Sequence, residues 1–134
     1  FDDVIETILM GMFYGSQIQT MMPKLHSTNF EGMELIRPMY LIEEKDIIHW
    51  CRYNDLSFIQ CACRFTEEME ELGEVHHTSK REEMKNLLKY LETMNPNVKK
   101  NVFKSVENVN LATIISYSDE QGKHHFLDTY DKGE

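Results

Sequence analysis

The chain has 134 residues, 41% hydrophobic and 28% charged, with a formal net charge of −9. These values describe an ordinary globular protein of one-domain length, with enough chain to bury a workable core. They argue against a generally sticky nucleic-acid binder, which gains affinity by neutralising phosphates, and no apolar run approaches the roughly 20 residues of a membrane span.

Three cysteines make a poor disulfide framework, so a reducing, cytoplasmic setting is expected. The chain opens Phe-Asp-Asp, without an initiator Met or a basic leader, and is expected to be a fragment: a truncated form, a proteolytic product or one part of a longer gene. The acidity gathers in Glu67, Glu68, Glu70, Glu71 and Glu74, which read as a solvated helix face or a linker.

In chain order, residues 2–14 predict a helix. Asp2 or Asp3 can cap it, and Val4, Ile5, Ile8, Leu9, Met12 and Phe13 form one apolar stripe, with Gly15 placed to stop it. A short second helix fits between Ser16 and Leu25, before Pro23 interrupts any regular run. His26 to Gly32 reads as a loop and Glu34 to Met39 as a strand, with Pro38 near its exit. Glu43 to Tyr53 reads as an amphipathic helix and Ser57 to Gln60 as a second strand. Strand, helix, strand is the unit of a parallel α/β sheet. Ser79 with Glu82 makes a capping box ahead of Met84, Leu87, Leu88, Leu91 and Met94. Pro96 can open the next helix, striped by Val98, Val102, Val106 and Val109. The tail from Leu111 to Tyr130 is compatible with a hairpin or a disordered end.

Few residues carry a chemical signal. Cys61 and Cys63 are too close to bridge, and both can reach one metal, but zinc and iron–sulfur sites usually take four ligands. Buried thiols are the competing reading. Asp2 and Glu6 share a helix face and can hold Mg²⁺ or orient a polar ligand, or simply serve the helix N-terminus. Arg37 can grip a phosphate or carboxylate, or pair with an acid such as Asp46. His76, His77, His124 and His125 read as solvent-exposed. Lys80, Arg81, Lys85, Lys89, Lys99, Lys100 and Lys104 alternate with glutamates and read as a salt-bridged helix surface, with an RNA-facing patch as the rival.

Three stretches in order resemble one family. Asp2-Asp3-Val4-Ile5-Glu6-Thr7 with Met12-Phe13-Tyr14-Gly15 resembles the DDxxET helix of the tRNA 2-thiocytidine biosynthesis proteins, of the PP-loop ATP pyrophosphatase superfamily. Met22-Pro23-Lys24-Leu25 resembles their MPPKL segment. Ile36-Arg37-Pro38-Met39-Tyr40, with Glu44, Asp46 and Ile47, resembles IRPLAYxxEKDI. Phe58 to Cys61 falls at the second cysteine motif, where Cys63 departs from the CxxC spacing. The resemblance covers residues 1–65.

The resemblance implies an α/β fold: the C-terminal part of a Rossmann-like parallel sheet domain over residues 1–66, with a helical extension over 67–134. It implies an ATP-dependent tRNA sulfurtransferase, which adenylates cytidine with ATP and Mg²⁺ and delivers sulfur from a donor through a [4Fe–4S] cluster. Asp2 and Asp3 would be catalytic, Glu6, Thr7 and Arg37 would bind nucleotide or substrate, and Cys61, with Cys63 open, would ligate the cluster. The family's glycine-rich SGGxDS phosphate loop, its first CxxC and the two His ahead of DDxxET are not in these residues. The chain alone is therefore expected to be inactive. An unpaired edge on the strand at Glu34 suggests a dimer or larger assembly. The rivals are a non-catalytic metal-binding or interaction module, and a PP-loop enzyme acting on another substrate.

Overall fold

The computed structural model describes residues 1–58 and 79–130. The second strand beyond Phe58, Cys61 and Cys63, the acidic run, His76 and His77, and the expected domain boundary lie outside the described residues. Ser57 and Phe58, at the start of that strand, are in neither helix nor strand.

Helix α1 (Asp2–Gly15) organises the core. Val4, Ile5, Ile8 and Leu9 sit three and four apart and bury one face. Two features differ from expectation. The cap position belongs to Phe1, whose carbonyl accepts from the Val4 and Ile5 amides, so neither aspartate caps its own helix. The left-handed residue that ends α1 is Ser16 (φ 53°), after Gly15. The Gln17 amide then returns to the Gly11 carbonyl at 3.0 Å. The burial of the stripe also stops early, for Met12 and Phe13 are exposed.

No short helix follows. Instead β1 (Lys24–His26) pairs antiparallel with β2 (Glu34–Ile36), with Lys24 opposite Ile36 and His26 opposite Glu34. The Ser27 hydroxyl accepts from the Asn29 and Phe30 amides and shapes the connecting turn. The strand before the amphipathic helix is thus paired with the strand that precedes it in sequence, while the second strand of the expected parallel unit lies beyond Phe58, outside the described residues. The hairpin also occupies one edge that was expected to be unpaired. All strand pairs among the described residues are antiparallel.

Helix α2 (Glu44–Tyr53) buries none of its residues. Helix α3 (Lys80–Met94) begins as expected, with the Ser79 hydroxyl accepting from the Glu82 amide at 3.2 Å. Met84 and Leu88, one turn apart, close the core against α1. Helix α4 (Val98–Glu107) starts later than Pro96, because Asn95 turns the chain first by accepting from the Asn97 and Val98 amides. Its Val102, Phe103 and Val106 complete the packing. Phe103 meets Phe1 and Tyr40 edge-on, at 5.4 and 6.1 Å between ring centres.

The tail is ordered as a hairpin, β3 (Ser116–Asp119) with β4 (Gly122–His125), followed by a single helical turn, α5 (Leu127–Tyr130). Gly122 has φ +122°, a conformation that side-chain-bearing residues rarely adopt. His124 and His125 are half-buried rather than exposed. His124 stacks on Tyr117 and lies 2.9 Å from the Asp119 carboxylate. The His124 ring, with the Gln121 amide, holds that carboxyl below its usual range.

Candidate functional site

The first turn of α1 gathers carboxylates, and the following helices bring cations to them. Asp2 is the most engaged. One of its oxygens accepts from the Glu44 amide at 2.7 Å, so it caps α2 across space. The other lies 2.8 Å from the Lys99 ammonium, which also meets Glu92 at 3.3 Å. Partial burial opposes the Asp2 charge, but Lys99 and the Glu44 amide outweigh it and hold the carboxyl below its usual range. Burial likewise opposes the Lys99 charge, and bonding to Asp2 and Glu92 outweighs it and raises the ammonium.

Asp3 and Glu6, a turn apart, share Arg81 on α3, at 3.1 and 3.6 Å. The Asp3 side chain is mostly exposed. Glu6 is 4% exposed and is the one buried charged residue among the described residues. Burial pushes the Glu6 carboxyl up, against the pull of Arg81 and with the push of Asp3. Lys85, one turn beyond Arg81, reaches Glu44 at 3.0 Å, and that bond raises its ammonium. Cations at 81 and 85 and acids at 2 and 6 each share a helix face. The basic helices are thus salt-bridged as expected, but largely across helices.

The other predicted site residues are not gathered in this way. The Thr7 hydroxyl bonds back to the Asp3 carbonyl at 2.7 Å. Arg37 neither faces the cleft nor pairs with Asp46. Its guanidinium donates to the Met22 carbonyl and its amide to Pro23, which locks the exit of β2 onto the entry of β1. Sequence reasoning named Lys99 and Glu44 without their partners and missed Trp50. Glu44 and Lys99 meet Asp2 from 42 and 97 positions away, which no local pattern reveals.

Beside the carboxylates opens a cleft of about 1190 Å³. One wall is acidic and basic, formed by Asp2, Asp3, Glu6, Arg81 and Lys85. The other is apolar, formed by Met39, Ile42, Ile47, Ile48, Trp50 and Phe58 from α2 and its flanks. Cys51 also lines it. Among the described residues no three His, Cys, Asp or Glu side chains are grouped to hold a metal ion. Asp2, engaged on both oxygens, does not fit as a metal ligand. The exposed Asp3 carboxylate fits the sparse protein contribution typical of Mg²⁺ sites, which take one or two carboxylates with substrate phosphates. No described helix is long and apolar enough to cross a membrane.

Comparison with known proteins gives a consistent set of relatives. The chain is 32% identical over 109 residues to a tRNA-cytidine(32) 2-sulfurtransferase of Photobacterium profundum. It is 32% identical over 108 residues to the protein of that name from Geobacter metallireducens, and 35% over 109 residues to that of Geotalea uraniireducens. Each alignment covers 81% of this chain, which spans only 33%, 38% and 39% of those proteins respectively. No protein-family model matches the chain, and no solved structure does.

Proposed function

We infer that this chain, related to the tRNA-cytidine(32) 2-sulfurtransferases over 81% of its length, is a portion of an ATP-dependent tRNA-thiolating enzyme. The observation that carries this reading is the meeting of the Asp2, Asp3 and Glu6 carboxylates with a cleft at one end of α1, on the helix that resembles DDxxET. In the intact fold the α/β elements would adjoin a Rossmann-like parallel sheet, and the substrate would be tRNA.

On this reading Asp3 is the open catalytic carboxylate. Asp2 stays ionised beside it, anchored by Lys99. Glu6, with its raised pKa, is suited to hold a proton or a polar group, with Thr7 behind it and Arg37 fixing the neighbouring backbone. Cys61 would contribute a thiolate to a [4Fe–4S] cluster, with Cys63 as a second candidate; Phe58, three positions before Cys61 in sequence, lines the cleft. When bound, ATP with Mg²⁺ supplies the adenylating group, and the cluster carries the sulfur taken from a donor. A polyphosphate needs the backbone amides of a glycine-rich turn, and the sequence contains no glycine-rich stretch. The chain should not release AMP from ATP on its own.

The test is anaerobic reconstitution with iron and sulfide. A brown protein that loses its colour in Cys61→Ala supports the reading. A colourless protein that binds zinc stoichiometrically favours a metal-binding module instead. AMP release by the chain alone would contradict the expected inactivity.

A further inference from the structure

We propose that Glu6 and Arg81 read the amino edge of a nucleobase held in the cleft, with Trp50 as its stacking face. The proposal deepens the functional reading above and rests on it for the nucleotide. Glu6 is 4% exposed, yet its carboxylate accepts no hydrogen bond from any described residue. The Arg81 Nε stands at 3.6 Å, beyond hydrogen-bond reach. A structural ion pair closes to bonding distance, as Arg81 does with Asp3 at 3.1 Å. Among the described residues no sealed side-chain polar atom lacks a partner, so the unbonded Glu6 oxygens are open to the space they line. A buried carboxylate without a donor is costly, and one that lines a cleft is placed to take its donor from a ligand.

The chemistry of the pair selects the ligand. An ionised carboxylate only accepts hydrogen bonds and a guanidinium only donates them. Arg81 keeps donors to spare beyond the one it gives Asp3. An acceptor beside a donor matches a base edge on which an amino group lies next to a bare ring nitrogen: N4 and N3 of cytosine, or N6 and N1 of adenine. Uracil and hypoxanthine present the reverse, a carbonyl beside a ring N–H, and meet like with like at both points. Proteins read an unstacked base in this way, by hydrogen bonds to its pairing edge and by aromatic stacking on its face. Trp50 supplies the face: it lines the other wall of the cleft and is 59% exposed. The cleft, at about 1190 Å³, exceeds the roughly 300–1,000 Å³ of an ordinary small-molecule pocket, which leaves room for the sugar and phosphate of a nucleotide.

The test measures the binding of CMP, UMP, AMP and IMP to the full chain by saturation-transfer NMR, in mildly alkaline buffer that favours the carboxylate. The expected result is a preference for amino over oxo bases of about tenfold. CMP over UMP marks the base to be modified; AMP over IMP marks the adenine of a nucleotide cofactor. Glu6→Gln, whose amide both donates and accepts, should abolish the preference. Arg81→Met, at a half-exposed position outside the core, should lower it by about threefold even where Glu6→Gln fails to fold. Trp50→Leu should weaken all four ligands about fivefold or more and leave the preference unchanged. Binding of none of the four, equal binding of amino and oxo ligands, or a preference that survives Arg81→Met and a folded Glu6→Gln would overturn the proposal. A brown, cluster-bearing protein without the preference would strike this proposal alone. The preference in a chain that takes up no iron would leave it standing and count against the functional reading alone.

Discussion

Asp2 joins three helices through one carboxylate, and its loss should be felt in all of them. Its side chain is 16% exposed and that of Lys99 19%, between the surface and buried limits. Lys99→Ala should cost about 1–3 kcal/mol, read by urea unfolding, since exposed pairs contribute up to ~1 and broken buried pairs cost ~3–5. The pH dependence has two opposing parts. The Asp2 carboxyl is lower when folded than its ordinary 3.8, so its contribution is present above that value and lost as pH falls through the folded pKa. Glu6 is higher when folded than its ordinary 4.5, so folding is favoured while it is protonated, and that advantage is lost as pH rises through the folded pKa. Asp2→Asn should flatten the stability curve below pH 3.8, and Glu6→Gln should flatten it just above pH 4.5. Unfolding midpoints across pH 2 to 7, taken as an order-of-magnitude window around these groups, separate the two. The Ser79 cap is simpler: Ser79→Ala should cost about 1 kcal/mol.

At the scale of elements, the core is small and its weight is concentrated. Leu88, 2% exposed, packs with Ile5 and Ile8, and Leu88→Ala should cost ~2–5 kcal/mol. Met12→Ala, at an exposed position of the same stripe, should stay within about 0.5 kcal/mol. In the C-terminal hairpin, Gly122→Ala should weaken β3–β4 by about 1 kcal/mol or more, because a side chain disfavours its positive φ. Loss of ring-current shifts between Tyr117 and His124 would report it. The helices were legible because periodicity and capping are local: α1, α2 and α3 begin within a residue of where the sequence predicts. The strands were not. Lys24–His26 carries no alternation to distinguish it, and the pairing direction of Glu34–Ile36 depends on a turn at Ser27 that reads only as polar loop. Asp2, Glu6 and their shared helix face were readable. Their cations, Lys99 for Asp2 and Arg81 for Glu6, were visible only as part of a mixed basic surface, since long-range pairing leaves no periodic trace.

At the scale of the molecule, α2 is held to the helical core chiefly by charge and backbone polarity. Surface ion pairs are screened as the Debye length falls to about 3 Å at 1 M salt. Hydrogen exchange of α2 amides should therefore speed up in high salt more than that of α3, where Met84 and Leu88 are buried. Equal protection of both helices at both ionic strengths would show that α2 has other support. The core has a further property, which belongs to synthesis rather than to the finished fold. Val4 and Ile5 pack against Met84 and Leu88, so the first helix meets its partner only after roughly 80 more residues have been made, about 4–16 s at ordinary elongation rates. Throughout that interval the most apolar of the described helices lacks the Met84 and Leu88 side chains that close its core face. A nascent-chain chaperone has its natural target there, and slowing elongation should lower the soluble yield of this protein more than that of one whose core closes between neighbouring helices.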